Sequence, residues 1–152
     1  GDFMAKITMD QIKELREETG AGIMDVRKAL TASEGDMKKA KAWITEKGLT
    51  RAAEKAERVT EAGYVFSYVH FNGRVGALVK LACETDFVAK TEDFQHLGRE
   101  IAMQVASMKP ETIEELMSQD YLRDSSQTIE KLAKTVSGKT GENIRVIAIA
   151  VL

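Results

Sequence analysis

The dipeptide Asn72-Gly73 is the feature that most constrains how this chain can fold. It lies between residues 64–71, which are rich in β-branched and aromatic side chains, and a second apolar segment at residues 75–83. Asparagine and glycine tolerate the positive φ angles of the tight turns that join antiparallel strands. The sequence therefore predicts a β-hairpin built from these two segments.

Helices are predicted after the hairpin. Apolar residues recur at spacings of three and four over residues 94–108 and again over residues 129–136, the spacing of one helix face. We expect Pro110 to end the first helix and to open a short one over residues 111–117, because proline fits the first turn of a helix but not its interior. The last helix is expected to end near Gly138.

The final segment, residues 144–152, is predicted to be a strand that carries no polar residue after Arg145. A strand with one wet face alternates apolar and polar residues, so both faces of this strand should be covered. Either helices and the hairpin cover them, or another chain does, as in a homodimer through this region. The order strand, strand, helices, strand predicts an α+β core with a small antiparallel sheet and packed helices.

The first part of the chain has helical spacing only. Thr8 and Gln11 have the pattern of a capping box, and glycine-containing breaks at residues 19–22 and 35–36 separate three short helices with one apolar face each. The third helix is expected to stop at Gly48. Three such helices must pack on one another, which predicts a compact three-helix domain.

These patterns divide the chain into a three-helix domain at residues 4–48, a linker helix at 49–58 and an α+β core domain at 59–152. Met4 is expected to be the natural start, with residues 1–3 an addition that carries no fold information. The linker is rich in Ala, Lys, Glu and Arg, which predicts a short solvated helix, with a flexible linker as the alternative.

Composition argues against several classes of function. The chain has 152 residues and a formal net charge of −2, whereas a nucleic-acid-binding protein more often carries a concentrated basic face. Its one cysteine, Cys83, allows no internal disulfide, and one thiol with two histidines cannot build a structural zinc site. No apolar run is long enough to cross a bilayer, and the first residues lack the pattern of a signal peptide. We expect a cytoplasmic protein without a cofactor or metal.

No set of residues suggests catalysis. Gly138-Lys139-Thr140 superficially resembles a phosphate-binding loop, but the glycine five residues before the lysine is missing and the segment leaves a predicted helix to enter a strand, which is the reverse of the required order. It is expected to be a helix C-cap and turn. His70 and His96 lie in different kinds of element. A binding protein is therefore favoured over an enzyme, and no catalytic residue is assigned.

One segment at residues 84–90 does stand out. Phe87 and Val88 lie between polar residues where a strand gives way to a helix. In one interpretation Asp86 caps the helix and Phe87 packs into the local core. In the other, Phe87 projects into a partner's pocket, where burial alone contributes on the order of 1.5–3 kcal/mol. The residue chemistry leaves both open.

A second segment, residues 15–25, combines a two-glycine loop with adjacent apolar side chains. The glycines expose backbone between two helices, and Ile23 and Met24 offer adaptable apolar contact. The alternative is an ordinary turn between helices. The second candidate function is a ubiquitin-like or peptide-binding adaptor, formed by the N-terminal unit on a structural α+β domain.

Together the two segments resemble the signatures of the elongation factor Ts family. The first resemblance is carried by Leu15, Arg16, Thr19, Gly20, Ala21, Gly22, Asp25, Lys28, Ala29 and Leu30. The second is carried by Cys83, Glu84, Thr85, Asp86, Phe87, Val88, Ala89 and Lys90. Residues 141–144 also resemble the start of a family strand. The resemblance covers essentially the whole chain from Met4 and is to a short form of the family.

This resemblance implies a guanine-nucleotide exchange factor for elongation factor Tu, in its GDP-bound and nucleotide-free forms, that promotes GDP release by disturbing the magnesium site of that GTPase. The three-helix domain would be similar to ubiquitin-associated domains and would dock on the GTPase. The implied partner-binding residues are Arg16, Gly20, Ala21, Gly22, Ile23, Met24 and Asp25. The residues implied to displace the magnesium of the partner are Thr85, Asp86, Phe87 and Val88. Short members of the family also suggest a homodimer through the core domain, with no direct nucleic-acid or membrane contact.

Overall fold

The computed structural model describes residues 7–152, so the start expected at Met4 lies outside the described residues. The chain begins with three helices that pack on one another. They are α1 (Met9–Thr19), α2 (Ile23–Ala32) and α3 (Met37–Glu54). The predicted capping box is confirmed, because the Thr8 hydroxyl accepts from the Gln11 backbone N–H and the Gln11 side chain accepts from that of Thr8.

A small apolar core holds this three-helix unit together. Each of the three helices contributes one apolar face to this core. The buried side chains are Ile12, Leu15, Val26, Ala29, Leu30 and Ala40. Gly20 ends α1 with a φ of 70°, a left-handed conformation that favours glycine. The helix–glycine–helix pattern of the sequence is therefore confirmed.

The end predicted for α3 is wrong, because this helix continues through Gly48 to Glu54. Residues 49–54 of the predicted linker helix are thus the last part of α3, residues 55–58 form a turn after it, and Ala52 is buried rather than solvated. Gly48 lies where α3 crosses a later helix, and the missing side chain allows the two backbones to approach. Gly48 therefore does not end the helix, although glycine often does.

The core is an antiparallel sheet with helices on one face, which confirms the α+β fold class. Its elements are β1 (Ala62–Val69), β2 (Gly76–Cys83), α4 (Asp86–Ala89), α5 (Glu92–Met108), α6 (Ile113–Ser118), β3 (Asp120–Tyr121), β4 (Asp124–Thr128), α7 (Ile129–Thr140) and β5 (Arg145–Val151). The strand order is β1-β2-β5. The predicted hairpin is confirmed, with Phe66 opposite Val79 and Gly73 in the turn at a φ of 70°.

The packing of α5 on the inner face of the sheet forms the main core. The Phe66 ring lies 5.9 Å from the Phe94 ring between centroids. A Cβ on Gly98 would lie only 2.1 Å from the Phe66 ring, so only glycine at this position lets the ring lie flat against the helix. The fully buried partners from strand and helix are Val79, Leu81, Ile101 and Val105.

Pro110 does not open the short helix. Lys109 ends α5 with a φ of 49°, and α6 begins at Ile113 after its N-cap Thr112. Because the Thr112 hydroxyl accepts from the Glu115 backbone N–H at 3.0 Å, side-chain capping sets the start of α6, two residues beyond the proline.

The β3–β4 hairpin was not anticipated from the sequence. It is held on α5 by the buried Gln104, which accepts from the Leu122 backbone N–H at 3.0 Å and donates to the Asp120 carbonyl at 3.0 Å. Its short polar strands lack an apolar pattern. The buried Tyr121 of β3, whose hydroxyl donates to the Glu100 carboxylate, adds an apolar contact to the main core. Paired polar groups and one aromatic side chain therefore hold this hairpin on α5.

Residues 138–140 are the last turn of α7 and not the expected C-cap and turn. The helix ends instead at Gly141, whose φ is 79°. Gly138 stays helical because it faces Gly48 of α3, where a Cβ would lie 2.6 Å from the Gly48 carbonyl oxygen. The two glycines allow the three-helix unit to pack directly on the core.

The last strand lies at the edge of the sheet, paired with β2 alone. Helices pack on one face of the sheet, and the opposite face (the outer face) is exposed in this chain. It carries Val65, Val69, Leu78, Ala148 and Ala150. The expectation that helices and the hairpin together cover both faces of this strand is wrong, because the hairpin pairs edge to edge and does not stack on it.

The contact between Gly48 of α3 and Gly138 of α7 leads us to expect different effects from two similar substitutions. Gly138→Ala should lower the free energy of unfolding by about 1–3 kcal/mol, because its methyl group meets the backbone of α3. Gly48→Ala places its methyl group 3.7 Å from the Gly138 Cα, an ordinary contact, and should be neutral or stabilising by up to about 1 kcal/mol through helix propensity. Thermal unfolding by circular dichroism measures both, and equal midpoints would contradict this crossing.

Candidate functional site

The segment at residues 84–90, which stands out in the sequence, contains a single helical turn, α4, directly after β2. Thr85 is the N-cap of α4, and its hydroxyl accepts from the Val88 backbone N–H at 3.3 Å. The expectation that Asp86 caps this helix is therefore wrong, and the Asp86 carboxylate is exposed. We call residues 85–88 the Phe87 turn.

The Phe87 turn separates two neighbouring apolar side chains. Phe87 is 82% exposed, whereas Val88 is 5% exposed and lies in the core. The interpretation in which Phe87 packs into the local core is therefore wrong. An isolated exposed apolar residue is unremarkable, but here a large ring is displayed by a backbone that the next residue anchors.

A second chain segment supports the Phe87 turn from behind. One carboxylate oxygen of Glu142 accepts from the backbone N–H groups of Glu84 and Thr85, both at 3.0 Å. Its other oxygen accepts from the Thr85 hydroxyl at 2.7 Å. Sequence reasoning missed Glu142, because it lies 57 residues beyond Thr85 and no local pattern joins the two.

The contact is reciprocal. The Glu84 carboxylate accepts from the Asn143 backbone N–H at 2.6 Å and lies 3.7 Å from the Arg58 guanidinium. The Asn143 side-chain amide donates to the carbonyls of Ala56 at 3.2 Å and Arg58 at 2.8 Å. The segment after α3, the end of β2 and the start of β5 are thus joined at one point beside the Phe87 turn.

Cys83 precedes this site and is chemically quiet. The side chain is fully buried, and burial raises the pKa of the thiol to about 11. The thiol donates to the Thr85 carbonyl at 3.2 Å. A thiol with such a pKa carries almost no thiolate at neutral pH, which is typical of a buried structural cysteine and not of a reactive one.

The second predicted segment forms one wall of an open groove of about 590 Å³ along α1. Gly20 and Ala21 line it together with Arg16 and Ile23. Met24 beside the groove is 66% exposed. Of the predicted residues, Arg16, Gly20, Ala21 and Ile23 line the groove, whereas Gly22, Met24 and Asp25 lie beside it. We call residues 20–25 the docking loop.

Comparisons with known proteins identify one family. The family model described as "Elongation factor TS" matches residues 84–152. Elongation factor Ts of Rippkaea orientalis is 39% identical over 94% of this chain and 76% of its own length, and that of Thermotoga neapolitana is 39% identical over 93% of both chains. The chain belongs to the elongation factor Ts family. Membership of the elongation factor Ts family places this chain in translation elongation.

The matched relatives differ in length. Elongation factor Ts of Desulforamulus reducens is 56% identical over 72% of this chain, but only 51% of that relative is covered. The chain thus spans between about half and nine-tenths of these relatives. In residues 7–152 no helix has both the length and the hydropathy to span a membrane.

The Asp25 carboxylate of the docking loop is paired with an arginine of the same chain. Two Arg51 nitrogens donate to its two carboxylate oxygens, at 2.6 and 3.0 Å. The hydrogen bond from Arg51 holds the pKa of the Asp25 carboxyl below its ordinary value, against a smaller opposing effect of burial. Arg51 was not singled out in the sequence, since it lies 26 residues away on what was expected to be a linker. The pair fixes the docking loop on α3.

This ion pair predicts a pH-dependent stability difference. At neutral pH Asp25→Asn should lower the free energy of unfolding by about 1 kcal/mol, since a bidentate pair that is partly exposed is lost. Because the folded-state pKa of Asp25 is lowered, the contribution is present above the unfolded-state value of about 3.9 and is lost as the pH falls through the folded-state value. Urea unfolding of both proteins from pH 7 to pH 3 measures it.

The matched control is Asp36→Asn, which changes a capping aspartate that accepts only from the Lys39 backbone N–H in α3 and lacks the arginine. A gap between Asp25→Asn and the parent that persists unchanged at pH 3 would contradict the ion-pair explanation.

Proposed function

We propose that this chain is a guanine-nucleotide exchange factor for elongation factor Tu, which it binds in the GDP-bound and nucleotide-free states. The observation that carries the proposal is the 82% exposure of Phe87 on a turn that is anchored on both sides. The chain forms no covalent intermediate, needs no cofactor and acts in the cytoplasm, where translation takes place. It works by binding and not by catalysis of a chemical step.

The proposed action is mechanical. Phe87, with Asp86 beside it, inserts between helices of the GTPase and shifts the elements that orient its magnesium ligands. Magnesium neutralises charge on the phosphates of bound GDP, so GDP leaves faster once the ion is displaced. Phe87 can act in this way only if the turn that carries it is rigid. The buried Val88 and the Thr85 cap both restrict the motion of this turn.

The energy scale requires two points of contact. An acceleration of about ten-thousandfold requires roughly 5.5 kcal/mol of barrier lowering, whereas burial of one phenylalanine contributes about 1.5–3 kcal/mol. The docking loop therefore contributes binding energy that supports the strained arrangement at the wedge. The coupling is reciprocal, so GDP weakens binding of this chain by the same factor by which this chain weakens binding of GDP.

The residues divide into two roles. The three-helix unit docks on the GTPase, and the α+β core, which packs against α3, carries the wedge. Ile23 and Met24 supply apolar contact, and Arg16 supplies a charge beside them. The two loop glycines let the partner approach the backbone closely. Asp25 contributes through Arg51, because the pair holds the loop in place.

A second copy of the chain is proposed as the partner of the outer face. Val69 is 68% exposed there, Val65 52% and Leu78 51%, and they form an apolar surface that no helix within residues 7–152 covers. The register of the strands places Lys80 among them, and Arg145, opposite Ala82, on the same face. The apolar patch can contact the same patch of a second copy, as a symmetric dimer requires.

The wedge predicts a rate defect for Phe87→Ala. With elongation factor Tu carrying a fluorescent GDP analogue and an excess of unlabelled GDP, the maximal release rate should fall at least about tenfold, because a few kcal/mol of contact energy are lost. The concentration for half-maximal rate should change less. The matched control is Phe71→Ala, which removes a ring that is 93% exposed at the hairpin tip and should leave the rate unchanged.

Met24→Ala should give the opposite pattern in the same assay. We expect the half-maximal concentration to rise several-fold, with a smaller fall in the maximal rate, since the change mainly weakens docking and leaves Phe87 in place. A parent chain that does not accelerate release would overturn the proposed function. A normal maximal rate for Phe87→Ala would overturn the wedge.

The dimer predicts that Leu78→Lys shifts sedimentation equilibrium toward monomer, because a charge would be buried between two apolar faces. Leu122→Lys is the control, as Leu122 is 48% exposed but lies on the β3–β4 hairpin away from the outer face. A parent chain that sediments as a monomer at every concentration would contradict the dimer.

A further inference from the structure

The Glu142 carboxylate belongs to the segment between α7 and β5, yet its hydrogen bonds lie at the Phe87 turn. It accepts from two backbone N–H groups, those of Glu84 and Thr85, and from the Thr85 hydroxyl, at 3.0, 3.0 and 2.7 Å. All three donors are neutral. An exposed carboxylate paired with a flexible lysine contributes little order, whereas one bound to two backbone groups constrains the main chain itself.

The hydroxyl contact constrains the turn in a further way. Thr85 donates its single hydroxyl proton to Glu142, which leaves the lone pairs of that oxygen to accept from the Val88 backbone N–H at 3.3 Å. Glu142 thus orients the group that caps α4. Hydrogen bonds to a charged acceptor are stronger than those between neutral groups. The negative charge of Glu142 is therefore needed, and a neutral side chain of the same shape would not replace it fully.

The support is itself held in place. Gly141 ends α7 in the left-handed conformation that begins the Glu142 segment, and the Arg58 guanidinium donates to the Gly141 carbonyl at 3.3 Å. On the other side, the Asn143 backbone N–H donates to the Glu84 carboxylate at 2.6 Å. Each of the two segments therefore presents a glutamate to the backbone of the other.

We infer that Glu142 is the positioning residue that holds the Phe87 turn in the orientation needed to open the GTPase. The inference rests on the proposed function, which it deepens. Glu142 acts through Thr85 and supplies the rigidity that lets Phe87 transmit force instead of yielding. Its loss should therefore lower the maximal rate of GDP release, while docking through the three-helix unit continues.

The test compares Glu142→Ala and Glu142→Gln with the parent in the fluorescent GDP release assay. Glu142→Ala should lower the maximal rate about tenfold, as expected when several charge-assisted hydrogen bonds are lost, with the half-maximal concentration within about twofold of the parent. Glu142→Gln should be intermediate, because its amide oxygen still accepts from backbone but its NH₂ group cannot accept from Thr85. The control Glu130→Ala removes an exposed carboxylate of α7 that pairs with Lys134 and should match the parent.

Amide hydrogen exchange of the free chain supplies a readout independent of activity. The N–H groups of Glu84 and Thr85 should exchange several-fold faster in Glu142→Ala, with the α5 amides unchanged as evidence of an intact fold. A normal maximal rate, or unchanged exchange at these two amides, overturns the inference. If the parent does not accelerate GDP release from elongation factor Tu, the proposed function fails. Faster hydrogen exchange at the two amides would then still establish Glu142 as the anchor of the turn.

Discussion

The contact between α5 and the inner face of the β1–β2 hairpin is the constraint on which the rest of the core depends. The Phe66 ring packs where Gly98 has no side chain, and Phe94 closes one side of it. Since protein interiors pack at crystal-like density, this contact leaves little freedom in the distance between helix and sheet. The short connection from β2 to α5 must then turn within a few residues.

That connection is the Phe87 turn, and two threonine caps in succession shape it. Thr85 caps α4, and Thr91 caps α5, where its hydroxyl also donates to the Val88 carbonyl at 2.7 Å. The Gln95 side chain donates to the Ala89 carbonyl at 2.7 Å. Side chains thus pair several backbone groups that a one-turn helix would leave without a partner, and they support the turn that carries the exposed ring.

The two parts of the chain are joined by direct packing rather than by a free tether. Backbones of α3 and α7 meet at Gly48 and Gly138, and the Asn143 amide binds carbonyls that follow α3. The chain is proposed to dock through the three-helix unit and to insert Phe87 from the core, so the rigidity of the connection between them affects both actions. A flexible link would dissipate the docking energy as motion, whereas a packed link can transfer it to the wedge.

Local interactions explain what the sequence by itself determined. The Thr8–Gln11 capping box, the Asn72-Gly73 hairpin and the helix at residues 92–108 depend on residues a few positions apart, and all three are present. The two signature segments of the elongation factor Ts family are also contiguous in the chain. The α+β class followed from the order of these elements.

Tertiary structure decided the features that depend on distant partners. Gly48 and Gly138 look like helix stops in the sequence, but each stays helical because the other faces it. The exposure of Phe87 and the partnership of Asp25 with Arg51 were equally beyond local pattern. The role of Glu142 arises only because folding brings the start of β5 beside the end of β2. Capping and periodicity act over three or four residues, whereas these contacts exist only once the whole chain has packed.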